Sequence, residues 1–175
     1  MLYIQLFFSD IQSFLDSGGT ILYWIMVAVF GMWVLIIERF WYFRTGHPKQ
    51  VAQTLKIWEA RADHTSWYAH RIRETLISQV SQNLNRGIPL IKTFVALCPL
   101  IGLLGTVTGM IEVFDIMAIT GSGNARAMAS GVSKATLPTM AGMVGAISGI
   151  FFASRLDRYA KARAEEVADS LTTED

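Results

Sequence analysis

The sequence predicts an all-α membrane protein with three transmembrane helices and helical extensions on one side of the bilayer. Three observations carry that reading. First, 52% of the 175 residues are hydrophobic, and mean hydropathy is +0.37. Second, the apolar residues are gathered rather than spread, in uncharged runs from Ser17 to Ile37, Thr93 to Ile111 and Ala135 to Ser154. Each run is close to the ~20 residues with which an α-helix crosses a ~30 Å hydrocarbon layer. Third, the basic residues between the runs are unevenly shared.

The first element is an arm over residues 1–16, amphipathic in outline, with Leu6, Ile11, Phe14 and Leu15 suited to rest on a membrane interface. Its first ten residues contain no Lys or Arg, so they lack the charged start of a secretory signal peptide, and no cleavage site suggests itself. The first span, 17–38, holds "ILYWIMVAVFGMWVLII", apolar on every side with Tyr and Trp towards its ends. Residues 39–92 follow, with nine Lys or Arg against Glu59, Asp63 and Glu74. Within them "QVAQTLKIWEARADHTSWYAHRIRETLISQVSQNLN" alternates apolar and polar residues at helical spacing, without proline, and reads as a soluble helical part. His47 precedes Pro48 and reads as turn. His64 and His70 stand six apart around "TSWYA", which presents no clean ligand face, so both read as surface residues.

The second span covers 93–118, a short link 119–130, the third span 131–154, and a tail 155–175. The tail carries Arg155, Arg158, Lys161 and Arg163 close to the membrane, whereas the arm offers Asp10 and Asp16 and the link Arg126. The positive-inside rule places 39–92 and the tail in the cytoplasm and the arm and link outside. An odd number of spans agrees with that.

Spans two and three are less oily than span one and form a matched pair. "GLLGTVTG" (Gly102 to Gly109) parallels "GMVGAISG" (Gly142 to Gly149), with glycines Gly102, Gly105, Gly109 and Gly142, Gly145, Gly149 at the same relative places. The Gly-x-x-x-Gly pairs predict close packing of the two spans. Thr108, Glu112 and Asp115 follow i, i+4, i+7 spacing and share a face. Glu112 sits roughly 9 Å below an outer end near Ala118, and Lys134 ~6 Å deep if its helix starts near Ser130. Opposite charges at similar depth make a natural pair, because an unpaired charge in a membrane is costly; alternatively Lys134 snorkels to the interface. Asp115 reads as a mark of the helix end. Thr106 and Thr139 lie deeper. Pro138 removes a backbone N–H beside Thr139, as Pro99 does near the inner end of span two, and loosened carbonyls beside hydroxyls suit a hydrated wall. Two small-and-polar helices per chain would be wasted on lipid, so a ring of copies around a central pore is expected, with span one as outer scaffold.

Other classes fit poorly. A net charge of +1 gives no footprint for nucleic acid. The single cysteine, Cys98, lies in an apolar run and reads as a buried hydrophobe, with no metal cluster and no cofactor motif nearby. "GLLGTVTG" lacks the Gly-Lys-Ser/Thr ending of a phosphate loop. No nucleophile or acid–base pair stands at workable spacing, so the chain does not read as an enzyme. Three spans show no inverted repeat of a metabolite transporter. A structural, anchoring membrane protein remains as an alternative whose mark is tolerance of apolar replacement at the polar positions.

"LCPLIGLLGTVTGMIEVFDIMA" followed by "NARAMASGVSKATLPTMAGMVGAISGIFFA" resembles the ExbB/TolQ proton-channel family, and within it the short form of ExbB. The related flagellar stator protein, with four spans, fits less well. The resemblance implies a homopentamer in the bacterial inner membrane, arm and link periplasmic. It implies a pore lined by spans two and three and holding the helices of a dimeric ExbD-like protein. Proton flow would do work that a TonB-like protein carries to outer-membrane uptake of iron siderophores, haem or vitamin B12; a TolQ-like role in envelope maintenance is the alternative within the family. It implies pore-facing roles for Thr106 and Thr139. Many family members carry a glutamate where this chain has Lys134 in "GVSKA", so that carboxylate's role is not transferred; either Glu112 compensates or Lys134 acts as a fixed charge. The essential carboxylate is then expected from the partner's helix.

Overall fold

The computed structural model describes residues 2–61, 63, 66–120 and 125–171, with side chains from Gly18 onward at the amino end. Four helices follow one another: α1 (Leu2–Glu59), α2 (Trp67–Asn85), α3 (Ile88–Thr120) and α4 (Ala125–Ser170). The stretches Gly18–Glu59, Trp67–Ile119 and Met128–Ser170 each hold a window long and apolar enough to cross a membrane. The chain is a three-span, all-α membrane protein.

The helices run past the charges that end the apolar runs. Glu38 and Arg39 close the first run, yet α1 continues to Glu59, because a charge on a helix leaves its hydrogen-bond ladder intact. The reading of His47–Pro48 as a turn is corrected: both lie inside α1. Proline cannot bond the carbonyl four residues back, that of Arg44, but Arg44 and Pro48 are on the exposed side, where water can satisfy it. α1 does break at Gly19, whose φ of 66° and ψ of −168° are non-helical and suit a residue without Cβ. The side chains of the arm 1–16, including Leu6, Ile11, Phe14 and Leu15, lie outside the described residues, as do His64 and link residues 121–124. His70 is exposed.

The chain divides into two compact units. One comprises Met1–Trp33 and Thr93–Ile150. Its core takes Leu22, Ile25, Ala28 and Met32 from α1, Val95, Cys98 and Val113 from α3, and Ala135, Pro138 and Ala146 from α4. Trp24, Val27 and Phe30 of α1, Leu100 and Leu103 of α3 and Val144 and Ile147 of α4 are exposed. A soluble monomer would not leave so much apolar surface in water, so lipid or further copies cover it.

The other unit comprises Val34–Lys92 and Phe151–Asp175. Ser66 caps α2 by accepting from the Ala69 N–H at 3.2 Å. Gly87, at φ 83°, turns the chain from α2 into α3, and a Cβ there would stand 3.3 Å from Arg39 Nε. Arg39 is 7% exposed; it donates from Nε and Nη2 to the two carboxylate oxygens of Glu38 at 2.8 and 2.9 Å, and from Nη1 to the Asn83 carbonyl at 3.3 Å. That fork satisfies a buried guanidinium as its geometry requires. Arg73 donates to the carbonyls of Leu171 and Ala168 at 2.6 and 2.7 Å, filling acceptors that the end of α4 leaves open. Asp157 receives both Lys92 (2.9 Å) and Lys161 (3.2 Å). A cavity of about 490 Å³ is lined by Phe43, His47, Tyr159 and Arg163 among others. His47 is buried there, and burial together with Arg163 holds its pKa below the usual imidazole value.

Candidate functional site

The polar residues singled out in spans two and three all lie in the first unit, on an antiparallel pair formed by α3 and α4. Small residues set how close that pair comes. A Cβ built on Gly142 would stand 2.5 Å from the Cys98 carbonyl oxygen. One on Gly102 would meet the Pro138 carbonyl oxygen and Thr139 Cα at 2.9 Å, and one on Gly109 would meet Ala135 Cα at 2.7 Å. Backbone therefore lies on backbone along a seam of Cys98, Gly102 and Gly109 against Gly142, Pro138 and Ala135.

The matching glycines of the two motifs do not share one partner. Gly145 faces Val29 of α1 at 2.6 Å from its virtual Cβ, and Gly149 faces Met32 of α1 and Val95 of α3. Gly105 meets Pro138 at 2.5 Å and Ile21 of α1 at 3.1 Å. So Gly145 seats α1, Gly149 faces side chains of both α1 and α3, and Gly142 is the one of that motif that meets α3 backbone to backbone. On α4, Pro138 and Ala135 are the seam residues that motif reading missed. Their signal was present as small or compact residues recurring at 131, 135, 138 and 142.

Helical rotation then sorts the polar side chains, at about 100° per residue. On α3, measured from Gly102, Gly105 is turned ~60° one way and Glu112 ~80° the same way, while Thr106 is turned ~40° the other way. On α4, measured from Gly142, Gly145 and Lys134 are turned ~60° and ~80° one way, and Thr139 ~60° the other. In two antiparallel helices facing each other, equal senses of rotation point to the same side. Gly105 and Gly145 mark the side on which α1 packs. Glu112 and Lys134 are on that flank, and Thr106 and Thr139 are on the flank opposite.

Each group has a partner. Lys134 Nζ lies 3.3 Å from Glu112 Oε1, with the two side chains 41% and 53% exposed. Thr106 donates to the Leu103 carbonyl at 2.7 Å, one turn back in its own helix. Thr139 reaches across the seam and donates to the Gly102 carbonyl at 3.0 Å. Thr108 donates to Leu104 and Gly105 carbonyls at 3.0 and 3.1 Å, and Asp115 is exposed. Cys98 is buried in the seam as a small apolar residue. Among the described residues no three His, Cys, Asp or Glu side chains gather as a metal site.

The arrangement is a closely packed helix pair with Thr106 and Thr139 on one flank and the Glu112–Lys134 pair on the other. Comparison with known proteins gives it a setting. Residues 44–169 match the model of the MotA/TolQ/ExbB proton channel family. The chain is similar to a putative biopolymer transport protein, ExbB-like 1, of Synechocystis sp., 48% identical over 67 residues, which are 37% of this chain and 26% of the relative. It is similar to an ExbB-like 1 protein of Helicobacter pylori, 30% identical over 92 residues, 53% of this chain and 49% of that one. It is also similar to the biopolymer transport protein ExbB of Salmonella typhimurium, 33% identical over 99 residues, 54% of this chain and 40% of the relative. The matches thus span no more than about half the length of these relatives.

Proposed function

The chain belongs to the MotA/TolQ/ExbB proton channel family, and from that premise we propose that it is the ring-forming subunit of a proton-driven motor. It is a multi-pass inner-membrane protein, and its family is one of channels rather than enzymes. In this reading five copies surround a central pore lined by α3 and α4. The arm 1–16 and link 119–130 are periplasmic, and 39–92 and 155–175 are cytoplasmic. The pore holds the helices of a dimeric ExbD-like protein, and a TonB-like protein carries the work of proton flow to uptake across the outer membrane.

One observation supports this most: Thr106 and Thr139 lie together on the flank of the hairpin that α1 leaves open. A closed ring presents one flank of each hairpin to its centre, and α1 occupies the other. Hydroxyls there can hydrogen-bond water or a titrating group without titrating themselves. Proton transfer still needs a group whose protonation changes in the pore. Among the described residues of spans two and three no titrating side chain shares the threonine flank, so in this reading the partner's helix supplies a carboxylate.

The test is proton flux into liposomes holding this protein with and without the ExbD-like protein. Flux is expected only with both, and it is expected to vanish in Thr106→Val/Thr139→Val while the complex still assembles. Normal flux in that double variant sinks the assignment, and flux from this chain alone would put the titrating group on it.

A further inference from the structure

The Glu112–Lys134 pair has no place in the mechanism just given, yet it keeps two charges at the edge of a membrane span. It lies at the outer end of the α3–α4 seam, beyond Gly109 and Ala135, on the α1 flank. Two features explain its half-exposure. Ile21 of α1 packs at Gly105, but Gly19 breaks the helix only two residues further out. Glu112 is seven residues, about 10 Å, beyond Gly105, while Gly19 is about 3 Å beyond Ile21, so the straight part of α1 ends about 7 Å short of Glu112. The pair stands beyond that break, and among the described residues Lys134 and Glu112 neutralise each other.

We infer that Glu112 and Lys134 are positioning residues: their ion pair ties the outer ends of α3 and α4 together and so holds the seam register in which Thr139 reaches the Gly102 carbonyl. Neither group carries the transported proton. Their shared flank is turned away from the hydroxyl flank, and each charge already has its counter-charge. This inference rests on the threonine assignment above only for where the path runs; the tie itself stands on the ion pair and the seam.

The chemistry makes a specific demand. What must be kept is mutual neutrality, not the identity of either residue. Removing one charge leaves the other unpaired in a low-dielectric setting, whereas removing both or exchanging them does not. The experiment is a set of full-length variants co-expressed with the ExbD-like protein: E112Q, K134M, E112Q/K134M and E112K/K134E. Assembled complex is quantified, and proton flux per assembled complex is measured across pH.

Each single variant is expected to lower assembled complex about fivefold. The neutral double and the exchanged double are expected to return to within about twofold of the parent. The pH profile of flux per complex should match the parent in all four. If both doubles are as poor as the singles, the tie is wrong. If E112Q assembles normally but loses flux or shifts the pH profile, Glu112 is in the proton path and the inference is overturned. Failure of the threonine reading shows separately, as normal flux in Thr106→Val/Thr139→Val.

Discussion

Gly142→Ala puts the α3–α4 seam to the test. The added Cβ would lie 2.5 Å from the Cys98 carbonyl oxygen, against an ordinary contact of at least 3.4 Å, so the helices must part by 3.4 − 2.5, or 0.9 Å, at that layer. Backbone cannot rotate out of the way as a flexible side chain would. One turn away, Thr139 donates to the Gly102 carbonyl at 3.0 Å. Moving that contact by the same amount takes it to about 3.9 Å, beyond hydrogen-bond range. The lost bond costs about 0.5–1.5 kcal/mol and the overpacking about 1–3 kcal/mol. Gly102→Ala meets the Pro138 carbonyl at 2.9 Å and needs only 3.4 − 2.9, or 0.5 Å, so it should be milder. Gly31→Ala, whose Cβ would find the Phe94 ring at 3.7 Å, is the control and should be nearly neutral. Thermal unfolding of the purified protein in detergent, followed by tryptophan fluorescence, should rank Gly142→Ala below Gly102→Ala and both below Gly31→Ala. Indistinguishable melting of Gly142→Ala and Gly31→Ala would refute the backbone-on-backbone seam.

Two more outcomes follow from the other unit. Arg73→Ala leaves the Leu171 and Ala168 carbonyls without their donor, so amide exchange over the last turn of α4 should quicken, with a loss of about 1–3 kcal/mol locally. Unchanged exchange there would count against the cap. Asp157 is held below the usual carboxylate pKa by its hydrogen bonds from Lys92 and Lys161. Because the folded value is depressed, its stabilisation is fully present above the unfolded value of 3.8 and disappears as pH falls through the folded one. Lys92→Met should therefore be less stable than the parent at pH 7, and the two should converge as pH drops below about 4. A gap that persists in acid would mean that Lys92 acts through packing instead.

Much of the fold could be read from residues in order. Apolar runs of membrane length and the helical alternation after Arg39 depend on local pattern alone. What escaped reading depends on which surfaces meet. Pro48 looked like a helix end because its missing N–H is local, whereas the exposure that makes it harmless is not. The two glycine motifs look equivalent in sequence, yet α1 claims Gly145 and shares Gly149, a fact set by Val29 and Met32. Glu112 and Lys134 could be matched by depth. Which side of the hairpin they occupy could not be read without knowing where Ile21 packs.

The threonine hydroxyls have a further consequence as ligands. Thr106 and Thr139 each give their hydrogen to a backbone carbonyl, so what their hydroxyl oxygens have left to offer a ligand is lone pairs. Such a surface is a hydrogen-bond acceptor. A water molecule or a protonated acid can bond to it with both helices undisturbed, whereas an anion must first pull a hydroxyl hydrogen away from its carbonyl. In the proposed pore these two uncharged hydroxyls would therefore favour an acid over its conjugate base by the direction of the hydrogen bond alone.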